Sequence, residues 1–196
     1  HRIFNRIEDL HAAAAKPVVM AIDGACLGGG LEFAMTGSMR LCTDSQKTQL
    51  GQPEIQLGLI PGAGGTQRLP ALIGLAPGLE MVVGGRPARA RKARKIGLVD
   101  EVVPSEILLD VAQKRALEAI DAESRDTVIA LDVSTKNLQR LALEKNPAGR
   151  RLLFKKAWET MMKETGGNYP APKRAIEAVQ IGVDQGPGNE FGVADG

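Results

Sequence analysis

The apolar run Pro17-Val-Val-Met-Ala-Ile22, followed within two residues by Gly24-Ala-Cys-Leu-Gly-Gly-Gly-Leu-Glu32, constrains this chain more than any other stretch. The run is rich in β-branched residues, the composition of a strand buried on both faces. Leu31-Glu-Phe-Ala-Met35 is unbranched or aromatic and reads as the first turns of a helix. A strand, a turn with three consecutive glycines and a helix N-terminus present bare backbone N–H groups to a negative charge. No side chain stands in the way.

Glu32 narrows the use of such a device. A carboxylate beside the amides repels a bound phosphate, so the arrangement favours charge that appears only during a reaction, as in an oxyanion hole. A second cluster, Gly51-Gln-Pro-Glu54 and then Leu59-Ile-Pro-Gly-Ala-Gly-Gly-Thr-Gln-Arg68, supplies another carboxylate among loop formers. The candidate constellation is therefore two glutamates, Glu32 and Glu54, and one backbone cradle.

The length of 196 residues suits one domain with a sizeable core and leaves room for a helical appendage. Aromatic residues are only 3%, so that core is built from Ala, Leu, Ile, Val and Met. A net charge of +2 gives no global basic field and argues against a dedicated nucleic-acid binder. Cys26 and Cys42 lie in no CxxC or Cys/His pattern, which argues against a disulfide scaffold or zinc site and for a reducing compartment. No apolar run approaches the roughly 20 residues of a membrane span, so a soluble protein is expected. The chain opens on His1 in a helical pattern, with no leader composition ahead of it, and closes on the glycine-rich 184–196. An incomplete gene product is the expectation.

In chain order, 1–15 reads as an amphipathic helix ended by Lys16-Pro17. Pro17 to Ile22 is the strand, Gly24 to Gly30 the turn, and Leu31 to about Thr36 a helix closed by Gly37. Met39–Thr43 and Thr48–Leu50 read as short strands, Thr66–Leu72 and Ala76–Val83 as short helices. Leu98–Val103 is another strand, after which Ser105 is a plausible N-cap for a helix to about Ala122. From Thr127 onward the pattern is helical, with Phe154, Trp158, Met161 and Met162 on one face and Ile176, Val179 and Val183 on the next. These patterns place an α/β core over 1–122, a helical region over 123–185 and a linker over 186–196.

Other readings weigh against this one. No glycine cluster is followed by Gly-Lys-Ser/Thr, and Gly62-Ala-Gly-Gly65 lacks the third glycine of a dinucleotide fingerprint. Taken singly, the triple glycine is also what close strand-to-helix packing requires, Glu32 a dipole-stabilised helix acid and Glu54 an exposed loop acid. Their joint occurrence carries the argument. Arg86 to Lys95 holds six basic residues, read as a solvated face or as an attractor of an anionic ligand tail; nucleic acid is disfavoured without interleaved aromatics. Trp158 with the two methionines reads as packing, and His1 and His11 receive no chemistry.

These residues resemble the enoyl-CoA hydratase/isomerase (crotonase) family, and within it the hydratase part of the multifunctional α subunits of fatty-acid oxidation. The matching stretches are Lys16–Gly24, Leu27–Glu32, Gly51–Glu54, Gly58–Pro70 and Lys95–Asp100, with Asn168-Tyr-Pro-Ala-Pro172 resembling the multifunctional type. The resemblance implies a crotonase-like ββα superhelix, here incomplete at its N-terminus, with a helical C-terminal portion. It implies Glu32 and Glu54 as the catalytic pair, Glu32 holding and activating water and Glu54 exchanging the proton at Cα. Gly29 would be an oxyanion N–H donor, and Leu27, Gly28, Gly29, Pro53 and Gly62 would line the substrate. The implied substrate is an acyl-CoA thioester, with coenzyme A entering only as part of it and no other cofactor or metal.

The implied assembly is a homo-oligomer or a complex with a thiolase subunit, without nucleic acid. The implied setting is bacterial cytoplasm or mitochondrial matrix. Family members carry earlier strands with a second oxyanion donor, and losing one such donor costs on the order of 100-fold in rate. The chain alone is therefore expected to be weakly active or inactive. Enoyl-CoA hydration is the expected reaction, with Δ3-Δ2 isomerisation or a non-catalytic acyl-CoA-binding or subunit-interaction module as alternatives.

Overall fold

In the computed structural model, which describes residues 2–12, 16–120, 144 and 146–185, the chain passes back and forth between two small sheets. After helix α1 (Arg2–Ala12), strand β1 (Val19–Ile22) enters the first sheet and β2 (Ala25–Leu27) the second. Helix α2 (Gly29–Ala34) returns the chain to β3 (Met39–Thr43) in the first sheet, and β4 (Gln49–Gly51) again joins the second. A 3₁₀ turn (Pro53–Leu57), α3 (Gly65–Ile73) and α4 (Leu75–Gly84) follow, then β5 (Ala88–Arg89), α5 (Ala90–Ile96) and β6 (Glu101–Val103). The first two passes, one strand in each sheet and then helix, form the ββα repeat that the resemblance implies, whereas in the third α5 falls between β5 and β6.

The first sheet has the order β1-β3-β6, all parallel, with Ile22 beside Cys42 and Cys42 beside Val102. In the second, β2 is parallel to β4, Leu27 facing Gly51, and β5 closes it antiparallel. β3 is the central strand and is buried on both faces: Leu41 meets Val103, Leu108 and Ala112, while Cys42 belongs to the main core. β1 is not. Ala21 is exposed because helix α6 (Leu108–Glu118) covers Val19 but not Ala21.

Several sequence expectations shift. Gly24 to Gly30 is not one turn, since Ala25-Cys-Leu27 pairs with β4 and α2 begins at Gly29, two residues early. A pairing partner 24 residues away decides this, not local composition. Ser105 makes no cap; it starts a 3₁₀ turn (Ser105–Ile107), and α6 runs from Leu108. The strand read over Leu98–Val103 is confined to Glu101–Val103. Residues 121–143 and 186–196, including the 122/123 boundary and the linker, lie outside the described residues.

The helical region contributes α7 (Pro147–Thr165), capped by the Asn146 side chain accepting from Ala148 N, and α8 (Pro170–Gln185). Phe154, Met161, Ile176 and Val179 join the same core as Leu31, Leu69 and Val82, with Trp158 and Val183 packed against it. Met162 is exposed instead, facing away from that core. At the α3–α4 crossing a methyl on Gly78 would stand 2.8 Å from Pro70 Cα, so glycine permits the close approach. Both cysteines are free and buried, and burial pushes each thiol up to about 11.

Candidate active site

Glycine geometry makes the first wall. Gly28 caps α2 at φ 55 and ψ −129, a conformation that side chains resist, and its N–H is spent on Gly51 O at 2.9 Å. The Gly29 N–H, at the first helical position, has no intrahelical acceptor and finds none among the described residues. Glu32 follows in the first turn of α2 and is 2% exposed.

Glu32 is held by the second glycine cluster. Its Oε1 accepts from Ala63 N and from Gly65 N, each at 2.7 Å. Gly64 between them has φ 97 and caps α3, so the amides at that helix start turn onto one carboxylate oxygen. The cradle of the second cluster is thus filled by the protein's own acid. Glu32 Oε2 faces the first cluster, 4.0 Å from where a methyl on Gly29 would stand.

Glu54 approaches from the other side. Pro53 opens the 3₁₀ turn and places Glu54 in its first turn, with Oε1 3.1 Å from where a Gly28 methyl would be. Only a glycine at 28 leaves that space. With its amide oriented so that both ends are satisfied, fully buried Gln52 donates to both Glu54 oxygens, at 2.8 and 3.0 Å. Burial raises the Glu54 carboxyl above its usual range, its own backbone N–H opposes this, and the Glu32 charge adds to the rise.

The two acids and Gly29 therefore converge on the Gly28–Gly29 turn. Leu27 sits at the end of β2, half-buried beside Gly51, and Pro53 is half-buried beneath Glu54. Gly62 is exposed with open space where a methyl would be; it reaches neither carboxylate, and only its peptide with Ala63 is part of the Glu32 cradle. Gln52 and the Ala63 and Gly65 amides went unread in the sequence. For Gln52 the available signal was an amide two residues ahead of a carboxylate with a proline between.

The basic segment is split between β5 and α5, with Ala88, Ala90 and Ala93 buried and Arg86, Arg89, Arg91, Lys92, Arg94 and Lys95 exposed. Lys92 pairs with Glu80 at 3.1 Å on the surface. The face is solvated, and its segment lies along the strand that leads to Gln52 and Glu54, with Arg89 paired to Gln49 and Pro87 packed on Gly51. Among the described residues no group of three or more His, Cys, Asp or Glu is placed to hold a metal, and no helix is long and apolar enough to cross a membrane.

The enoyl-CoA hydratase/isomerase family model matches residues 5–174. The fatty acid oxidation complex subunit alpha of Shewanella loihica is 47% identical over 186 residues, 95% of this chain and 25% of that protein. That of Idiomarina loihiensis is 48% identical over 184 residues, 94% of this chain and 24% of the other. The chain spans about a quarter of the length of the curated relatives it matches. A crystal structure of enoyl-CoA hydratase from Bacillus anthracis matches with a TM-score of 0.53 and 28% identity, over 83% of this chain and 61% of that one.

Proposed function

The chain belongs to the enoyl-CoA hydratase/isomerase family, and from that premise we propose that it carries the acid–base pair of an enoyl-CoA hydratase acting in fatty-acid β-oxidation. The substrate is a trans-2-enoyl-CoA and the product a 3-hydroxyacyl-CoA. Adding water across the double bond needs a base for the water, an acid for Cα and stabilisation of the enolate-like thioester oxygen. Glu32 holds and activates the water, Glu54 delivers the proton to Cα, and the Gly29 N–H meets the oxygen. The single observation that carries this reading is the convergence of both carboxyls on the Gly28–Gly29 turn.

Their surroundings suit the division of labour. Glu32 oxygen Oε1 is anchored by two amides while Oε2 remains directed at the turn. Glu54, with its raised carboxyl, keeps a proton more readily at neutral pH than an exposed acid, which favours its role as acid. Leu27, Gly28, Pro53 and Gly62 line the thioester path in this reading. No cofactor is required beyond the coenzyme A of the substrate. The polypeptide works as a homo-oligomer or beside a thiolase subunit, in the bacterial cytoplasm or an equivalent compartment.

The test assays hydration of 2-enoyl-CoA and isomerisation of 3-enoyl-CoA on the polypeptide as its gene encodes it, alongside Glu32→Gln and Glu54→Gln. Loss of hydration in both variants, each by about 100-fold or more, is expected. Isomerisation that survives Glu32→Gln, with no hydration in the parent, would make the protein an isomerase. Tight binding of an unreactive acyl-CoA without either turnover would make it a binding module.

A further inference from the structure

We propose that Arg68 is a positioning residue for the reaction: it fixes the peptide that separates the two amides holding Glu32, and takes its own bearing from helix α1. The inference rests on Glu32 acting on water, as above. Three successive peptide units make the cradle. The first supplies the Ala63 N–H and the third the Gly65 N–H, both to Glu32 Oε1 at 2.7 Å. The middle unit, between Ala63 and Gly64, points its carbonyl the opposite way, and Arg68 Nη1 donates to it at 2.8 Å.

The guanidinium also lies across Gly64, whose φ of 97 admits no ordinary side chain and whose added methyl would collide with Arg68 Nη1. The Ala63 and Gly65 N–H groups meet on one oxygen only at particular values of ψ at Ala63 and φ at Gly64, so an uncompensated rotation about either bond parts the two donors. Arg68 is what resists that rotation.

Arg68 is in turn fixed from outside its own helix. Nε and Nη2 donate to Glu8 Oε1 and Oε2 at 2.7 and 2.9 Å, a bidentate pair, and Nη2 also donates to Asn5 Oδ1 at 2.8 Å. The side chains are 11% and 34% exposed, so solvent screens the pair only in part. Phe4 on α1 stacks beneath the guanidinium, 5.9 Å from ring centroid to Cζ, and meets Phe33 at 5.7 Å between centroids. Phe33 adjoins Glu32 on α2. One face of α1 therefore sets both the donor loop, through Arg68, and the acceptor helix, through Phe33.

The experiment takes the polypeptide as its gene encodes it as the parent and compares it with its Arg68→Lys and Glu8→Gln variants. Lysine keeps the charge but cannot bond Ala63 O, Asn5 and both Glu8 oxygens at once. Amide hydrogen exchange at Ala63 and Gly65 is expected to quicken about tenfold in Arg68→Lys, with Leu41 and Cys42 in the central strand unchanged. Hydration kcat is expected to fall about tenfold with KM within about twofold. Glu8→Gln shifts both readouts the same way by a smaller factor.

Parental exchange at Ala63 and Gly65 in either folded variant overturns the proposal. So does quickening by one common factor at 63, 65, 41 and 42, which makes Arg68 a stability residue only. If Arg68→Lys does not fold, Glu8→Gln decides by the same criteria. A parent without hydration sinks the functional reading, and the exchange data then decide whether Arg68 sets the cradle.

Discussion

The Tyr169 hydroxyl donates to the Ile55 carbonyl at 2.8 Å, joining the residue ahead of α8 to the turn that carries Glu54. A methyl on Gly58 would stand 3.4 Å from the same hydroxyl, so the ring lies directly against the end of that turn. Further along α8, the Ala178 carbonyl accepts from Gln67 Nε2 at 2.9 Å on α3. One helix thus grips the turn bearing Glu54 and the helix whose first amides hold Glu32.

Tyr169→Phe removes the donor and leaves a carbonyl to water. We expect a loss of about 1 kcal/mol in urea-induced unfolding and a lower kcat with KM little changed. An unaltered kcat would mean that the turn keeps its place without α8.

Gly65→Ala is expected to damage the site directly. The new methyl would sit 2.9 Å from Glu32 Oε1, 2.8 Å from the end of the Gln52 amide that is Oε1 when its nitrogen serves Glu54, and 2.9 Å from Pro61 Cβ, and Gln52 is fully buried. Overpacking of this kind costs about 1–3 kcal/mol, and hydration should fall at least about tenfold. Gly30→Ala is the contrast: nothing lies within 4 Å of its methyl, and α2 gains helix propensity. Its melting temperature should hold or rise.

Glu54→Gln should change stability in a pH-dependent way. The folded state holds the Glu54 proton more tightly than the unfolded chain, so ionising it opposes folding. That penalty is absent below the usual carboxylate value of 4.5, grows as pH rises through the folded value, and is complete above it. The variant should therefore melt higher than the parent at neutral pH, with the difference shrinking on acidification. A difference independent of pH would refute the assignment.

Arg40 predicts a purely structural defect. Its side chain is buried, donating from Nε to Leu98 O at 3.1 Å, from Nη1 to Gly37 O at 2.8 Å and from Nη2 to Asp100 at 3.2 Å. Desolvation lowers its pKa and the Asp100 charge opposes that. Arg40→Met strands two buried carbonyls and should cost roughly 3 kcal/mol by denaturant titration. The kcat of the fraction that remains folded should be parental.

Sequence patterns reached the glutamates because each sits in a local device, a glycine-opened helix for Glu32 and a proline-opened turn for Glu54. They reached β3 and α3 for the same reason, since periodicity and flanking glycines are short-range signals. What they missed depends on partners far along the chain. Ala25-Cys-Leu27 is a strand only because Gln49-Leu-Gly51 lies beside it. The second glycine cluster looked like a neighbour of Glu54, yet its amides close on Glu32, 31 and 33 residues away. Arg68 stood in a quoted motif without a role, because Glu8 and Asn5 reach it only after folding.

The two buried sulfhydryls offer a practical consequence. With each thiol pushed up to about 11, little thiolate forms at pH 8, and both cysteines are buried in the fold. Alkylation by iodoacetamide then waits on opening of the core, so its rate serves as a clock for rare unfolding, with no engineered label.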